Sequence, residues 1–229
     1  MSNPKTVIYG ATRNIYRNVV PCVRSLVENG NIDEVVLLIE DNAFPYELPC
    51  EPRIINVKGQ PFFDINSPNA TKRWTYMTLM KAAASKLMSD LDRALILDCD
   101  TIVTQDISAL WDLDMTGYYY GAVKQPTDGR EGQFSRGADY FNCGVLLCNL
   151  EALRDGTEDR LIEALNTIDY EFPEQDCINK LCEGHILPLE GRYNTSDFTI
   201  KDGDVYIIHF AANSEWRELP EARIYDGEL

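Results

Sequence analysis

Basic residues are in short supply in this chain: 21 Lys and Arg stand against 37 Asp and Glu, a formal net charge of −16 over 229 residues. A surface of that sign repels phosphate backbones and anionic bilayers, and the few cations are scattered rather than gathered into a patch. Nucleic-acid partners are therefore excluded, and an anionic ligand needs a cation or local hydrogen-bond donors to hold it. Long apolar runs are missing too. None approaches the about 18 residues that a membrane helix needs, so no membrane anchor is evident. The start, Met1–Ser2–Asn3–Pro4–Lys5, lacks the apolar core of a secretion signal, which makes the cytoplasm the expected location. No Cys-x-x-Cys occurs among the seven cysteines, and an odd number without a secretion signal reads as reduced thiols. The pairs Cys143/Cys148 and Cys177/Cys182 read as small core residues rather than metal ligands. Histidine is almost absent, with two in the chain.

What is present is an ordinary globular composition, 45% hydrophobic and 25% charged, in a length that suits one α/β domain over residues 1–229. Residues 7–9 read as a first strand, followed by the small polar loop Gly10–Ala11–Thr12–Arg13–Asn14. A helix comes next, with Pro21 suited to its first turn, Val23, Leu26 and Val27 at helical spacing, and Gly30 at the stop. Residues 35–39 and 53–57 read as buried strands, 61–69 as turn-rich, and Thr71 as the cap of a long helix to about Ser89. Residues 94–97 form another strand. This alternation implies parallel crossovers and a Rossmann-like half over residues 1–100. Beyond it, residues 118–123, 140–149 and 205–209 read as strands, 150–168 and 174–182 as helices, and the glycine- and charge-rich stretch 124–138 as a loop.

Asp-x-Asp occurs four times, at Asp90–Asp92, Asp98–Asp100, Asp112–Asp114 and Asp202–Asp204. Only Asp98–Cys99–Asp100 follows a strand-like apolar run, and open α/β sheets bind ligands outside the carboxyl ends of their strands. Two hard oxygen donors there suit Mg²⁺ or Mn²⁺ with substrate phosphates completing the shell, or else cap the next turn. His209 also ends a strand-like run, as a third ligand that favours Mn²⁺ or as an edge histidine with a backbone partner. Glu174–Gln175–Asp176 begins a helix after a proline, where acidic side chains satisfy exposed amides or, near a sugar, bind hydroxyls. Asn142 enters a buried strand and either closes a local hydrogen bond or faces a ligand.

In order along the chain, Leu97–Asp98–Cys99–Asp100, Leu110–Trp111–Asp112, Tyr140–Phe141–Asn142–Cys143–Gly144–Val145, Glu174–Gln175–Asp176–Cys177 and Ile208–His209–Phe210 resemble the motifs of family 8 glycosyltransferases. The bacterial lipooligosaccharide galactosyltransferases and, more distantly, the glycogenins are similar. The resemblance implies a GT-A fold with a mostly parallel central sheet flanked by helices, a UDP-sugar donor, and Mn²⁺, with Mg²⁺ as the alternative. It further implies transfer of a hexose with retention to an acceptor, a glycan, lipid-linked sugar or protein, that the sequence does not identify. By the same resemblance Asp98, Asp100 and His209 match metal ligands. Ala11, Thr12 and Asn14 lie where the nucleotide binds, with Asp98, Cys99, Asp100 and Asn142 along the nucleotide-sugar. Gln175 matches the residue beneath the anomeric carbon, and Asp176 a sugar contact. Residues 1–100 then form the nucleotide-binding half and 101–229 the sugar- and acceptor-binding half.

The pattern departs from the family at three places. Tyr76–Met77–Thr78 stands where the family has Tyr-x-Arg, Glu215 stands near a diphosphate-binding Lys, and Lys124–Gln125 replaces an Asp. Arg73, Lys124 and Arg217 are candidate substitutes. These losses predict weaker help from side-chain cations in holding a diphosphate, and they keep open a relative that binds nucleotide-sugars without turning them over.

Overall fold

The computed structural model describes residues 4–70, 75–125, 139–196 and 204–227. Its main sheet has seven strands in the order β3-β2-β1-β4-β7-β6-β8. Strand β1 (Thr6–Gly10) pairs in parallel with β2 (Glu34–Ile39) and β4 (Arg93–Leu97), and β2 pairs in parallel with β3 (Arg53–Asn56). Strand β7 (Phe141–Asn149) runs antiparallel to β4 and to β6 (Tyr120–Lys124), and β8 (Ile186–Leu189) is parallel to β6.

Strands β1, β2 and β4 read as apolar runs because both of their faces are covered. Ile8, Val36, Ile96 and Leu146 pack on one side, while Val7, Tyr9, Leu37, Leu95, Leu97 and Val145 pack on the other. A second sheet joins β5 (Thr101–Val103), antiparallel to β10 (Ile207–His209), with β9 (Thr195–Ser196) parallel to β10. The seven cysteines are free thiols. Among the described residues no helix is long and apolar enough to cross a membrane.

Three expected helices differ in detail. Helix α1 (Tyr16–Asn29) carries Pro21 in its interior rather than its first turn, after a 3-10 turn at Arg13–Ile15. The early start is anchored by Tyr16, whose hydroxyl accepts the Glu40 N–H at 2.8 Å and donates to Asp41 at 3.1 Å. The long helix expected to Ser89 is α2 (Thr75–Leu79), a 3-10 stretch at Met80–Ala83, and α3 (Ala84–Leu87). Glu158 interrupts it by accepting both the Ser85 N–H at 2.7 Å and the Ser85 hydroxyl at 2.5 Å, replacing a helical bond with a side-chain one. Thr71, the expected cap, lies outside the described residues, as do Arg73 and most of the 124–138 loop. The helix expected over 150–168 is split into α4 (Leu150–Leu153) and α5 (Thr157–Thr167) by Gly156, whose φ of 103° is costly for any other residue. Helices α6 (Pro173–Leu181) and α7 (Pro220–Asp226) both begin on proline, where its missing N–H costs nothing.

Candidate metal centre

The register of the small sheet builds the site. Residues 98–100 cross from β4 to β5, and β10 runs back antiparallel with His209 opposite Thr101. The Phe210 N–H donates to the Asp100 carbonyl at 2.9 Å, and the Asp98 N–H donates to the Gly144 carbonyl at 2.9 Å. The imidazole therefore arrives beside the two carboxylates by backbone pairing. His209 Nε2 lies 3.3 Å from Asp100 Oδ1 and 3.7 Å from Asp98 Oδ2. One ligand atom from each of the three residues falls within 4.8 Å of the others. Cys99 turns away, its thiol donating to the Gly10 carbonyl at 3.2 Å and tying this loop to the one after β1.

Several features fit a cation. The His209 side chain is 5% exposed while those of Asp98 and Asp100 are 33% and 28% exposed, so the ring forms the inner wall and the carboxylates face the entrance. Asp100 Oδ1 is buried without a well-formed hydrogen bond, a costly state for a carboxylate oxygen that a metal ion would relieve. The ring also has a cradle: a Cβ at Gly144 would lie 2.0 Å from His209 Cε1. Two carboxylates and one imidazole are a donor set suited to Mn²⁺ as well as Mg²⁺.

The electrostatics describe a crowded site. Burial pushes the Asp98 carboxyl above its usual range, and although Lys81 pulls it down, the like charge of Asp100 adds to the rise. Burial acts the same way on Asp100, but the charge of His209 outweighs it and holds that carboxyl low. Burial disfavours imidazolium at His209, yet Asp100 and Asp98 together raise it above the ordinary imidazole range. In the metal-free chain a proton on His209 thus stands where a cation would.

One residue that no sequence motif singled out, Lys81, brings a second positive charge to the cluster, shared with Glu174. Lys81, 7% exposed at its side chain, places Nζ 2.7 Å from Asp98 Oδ1 and 3.2 Å from Glu174 Oε1, and donates to the Cys143 carbonyl at 2.9 Å. Burial opposes its charge, but the two carboxylates hold the ammonium protonated. Thr78 still stands where the family has an arginine; Lys81, three residues later, brings a different cation to Asp98. Its signal was a lone lysine in an otherwise apolar stretch.

The Gln175 side chain is fixed at both ends. Its Oε1 accepts the Cys143 N–H at 3.0 Å and its Nε2 donates to the Tyr140 hydroxyl at 3.0 Å. Asp176 supports that arrangement rather than joining the carboxylate cluster: Oδ1 accepts the Tyr140 hydroxyl at 2.6 Å and Oδ2 accepts the Phe172 N–H at 2.9 Å. Glu174 is the acidic residue of this helix start that reaches the centre, through Lys81. Asn142 accepts from the Gly144 N–H and from Asn194 Nδ2, both at 2.9 Å. Ala11 and Thr12 are buried and Asn14 is exposed in the loop after β1, where Thr12 donates to Asn14 Oδ1 at 2.6 Å. Lys124 is paired with Asp139 and Arg217 with Asp226, so neither proposed substitute cation contacts the carboxylates.

Comparison with known proteins places this geometry in context. The family model described as glycosyl transferase family 8 matches residues 7–214. The lipopolysaccharide 1,2-glucosyltransferase of Escherichia coli (strain K12) is 33% identical over 213 residues, covering 85% of this chain and 63% of that protein. Glycosyltransferase GlyB of Streptococcus pneumoniae serotype 4 is 25% identical over 238 residues, covering 99% of this chain and 55% of that protein. The chain thus spans between half and two thirds of the length of these curated relatives. Among solved structures, the galactosyltransferase LgtC in complex with donor and acceptor sugar analogs superposes with a TM-score of 0.71 at 17% identity, covering 98% of this chain and 96% of that one. Glycosyltransferase GlyE of Streptococcus pneumoniae TIGR4 gives 0.67 at 20% identity, covering 92% and 55%.

Proposed function

Because the chain belongs to glycosyl transferase family 8 and has the GT-A fold, we propose that it is a retaining, metal-dependent glycosyltransferase that moves a hexose from a UDP-sugar to a glycan, lipid-linked sugar or protein acceptor. The observation that carries this reading is the meeting of Asp98, Asp100 and His209 around a buried carboxylate oxygen without a well-formed hydrogen bond. These residues are assigned as ligands of Mn²⁺, with Mg²⁺ as the alternative. Such a cation supplies a Lewis acid for a diphosphate leaving group without a protonated side chain. It also answers how a chain of net charge −16 holds UDP.

Lys81 adds a fixed positive charge at the same edge, and Glu174 holds it there. Ala11, Thr12 and Asn14 are assigned to the nucleotide, and Asn142 to the sugar. Residues 1–100 serve as the nucleotide-binding half, and 101–229 as the sugar and acceptor half. The reaction is assigned to the cytoplasm, where unpaired thiols persist. Gln175, locked between Cys143 and Tyr140, is assigned to the face of the anomeric carbon opposite the leaving group. An amide is a poor nucleophile, so attack from the front face through a short-lived oxocarbenium-like ion is favoured over a covalent intermediate. Asp176, with both oxygens engaged, orients Gln175 through Tyr140. A Gln175→Glu variant that accumulates sugar on residue 175 as an on-pathway species would count against front-face attack.

Glu215, near the position of the family's diphosphate-binding lysine, favours a second reading in which the chain binds nucleotide-sugars without turnover. Hydrolysis assays with a panel of UDP-sugars, with and without Mn²⁺, separate the two. Metal-dependent release of UDP supports the enzyme, metal-dependent binding without release supports the second reading, and no binding removes both.

A further inference from the structure

The hydrogen bonds around His209 form a chain whose direction is fixed from a backbone group. The Gly144 N–H is a donor without ambiguity, so the Asn142 atom 2.9 Å away is the carbonyl oxygen. That oxygen also receives Asn194, which must present its NH₂ at 2.9 Å. The Asn194 oxygen then faces His209 Nδ1 at 3.0 Å. An amide oxygen only accepts, so Nδ1 must carry a proton.

We propose that Asn194 is a positioning residue that fixes His209 with its proton on Nδ1, so that the Nε2 lone pair faces the space between Asp98 and Asp100. The opposite tautomer would set the Asn194 oxygen against an unprotonated Nδ1 and aim an N–H into the cation's place. Metal-binding histidines are commonly held this way through their remote nitrogen. Asn194 is reached by a two-residue strand and a 3-10 turn at Gly191–Tyr193. Its partner Asn142 is assigned to the sugar, so one amide pair links the sugar side of the site to its metal side. The benefit of this tautomer rests on the metal reading above; the tautomer itself does not.

The chain's two histidines make the test direct. Imidazole ¹⁵N spectra of the metal-free protein, taken above the raised titration range of His209 so that its ring is neutral and with His185→Gln for assignment, report which nitrogen of His209 is protonated. The expected result is a proton on Nδ1. Asn194→Leu, which removes the acceptor, moves the proton to Nε2 and weakens Mn²⁺ binding by about 10- to 100-fold. Asn194→Asp, which keeps an acceptor, retains the Nδ1 proton and Mn²⁺ binding within a few-fold. A wild-type ring protonated on Nε2 overturns the proposal, as does Asn194→Leu with an unchanged spectrum and unchanged Mn²⁺ affinity. If Asn194→Leu does not fold, the wild-type and Asn194→Asp spectra still decide. A wild-type chain with the Nδ1 proton but no Mn²⁺ affinity would remove the metal reading and leave the assignment to Asn194 standing.

Discussion

Strand β4 carries an Asp-x-Asp tripeptide at each end. At its N-terminal end, Asp90 takes a bidentate bond from Arg53 at 2.6 and 3.1 Å, and Asp92 lies 3.7 Å from Arg154. Arg53's hydrogen bonds hold the Asp90 carboxyl below its ordinary range. At the C-terminal end, Asp98 and Asp100 face each other and His209, and one oxygen of Asp100 has no good partner. The tripeptides are alike. The difference lies in where the strand delivers them: one pair to the outside with arginines to satisfy it, the other to the edge where β10 brings an imidazole instead. Asp98 leans on the buried Lys81 and Asp100 on His209, so this pair is held facing an imidazole instead of being closed off by arginines.

Variants at the two ends should separate cleanly. Lys81→Met should have the largest effect, destabilising the fold by about 3–5 kcal/mol because Asp98 and Glu174 lose a buried counter-charge; denaturant melts measure it, and a loss under 1 kcal/mol would mean the ammonium is not what balances them. Asp100→Ala should keep the fold and weaken Mn²⁺ binding by more than the about 100-fold cost of losing an outer partner, as read by titration calorimetry. Gly144→Ala should cost about 1–3 kcal/mol of stability and weaken Mn²⁺ binding as well, since the new methyl occupies the ring's cradle. Asp90→Ala at the other end should change stability by less than about 1 kcal/mol, as exposed pairs do, and leave Mn²⁺ binding untouched.

The raised pKa of His209 gives a pH signature between those extremes. A proton on Nε2 competes with the cation, so Mn²⁺ affinity should fall by about tenfold per pH unit below that raised pKa and level off above it. Metal-free stability has the opposite sign: the protonated ring adds stability at low pH that is lost as pH rises through the folded value. Metal titrations and melts across pH check both slopes, and a flat affinity profile would remove His209 from the ligand set.

The strands that form the sheet's spine were legible because they are buried on both faces and read as apolar runs; β1, β2, β4 and β7 fall within a residue or two of expectation. Gly156 signalled a break that helical periodicity alone concealed. The carboxylates and His209 were legible from their places after strand-like runs, but Lys81 and Asn194 behind them were not. Lys81 and Glu174 meet across about ninety residues of sequence, a contact that no local pattern reports. Asn194 sits between a 3-10 turn and a two-residue strand, elements too short to leave a periodicity. Asp176 was expected at the sugar from its motif; its bonds to Tyr140 and Phe172 are further partners that no motif reports.

The most direct test is the thermal stability of the wild-type chain with Mn²⁺ and UDP added singly and together. The wild type should be stabilised strongly by the pair and weakly by UDP alone, Asp90→Ala should behave like the wild type, and Asp100→Ala should lose the joint effect. Equal stabilisation of Asp100→Ala and the wild type by Mn²⁺ with UDP would contradict the account.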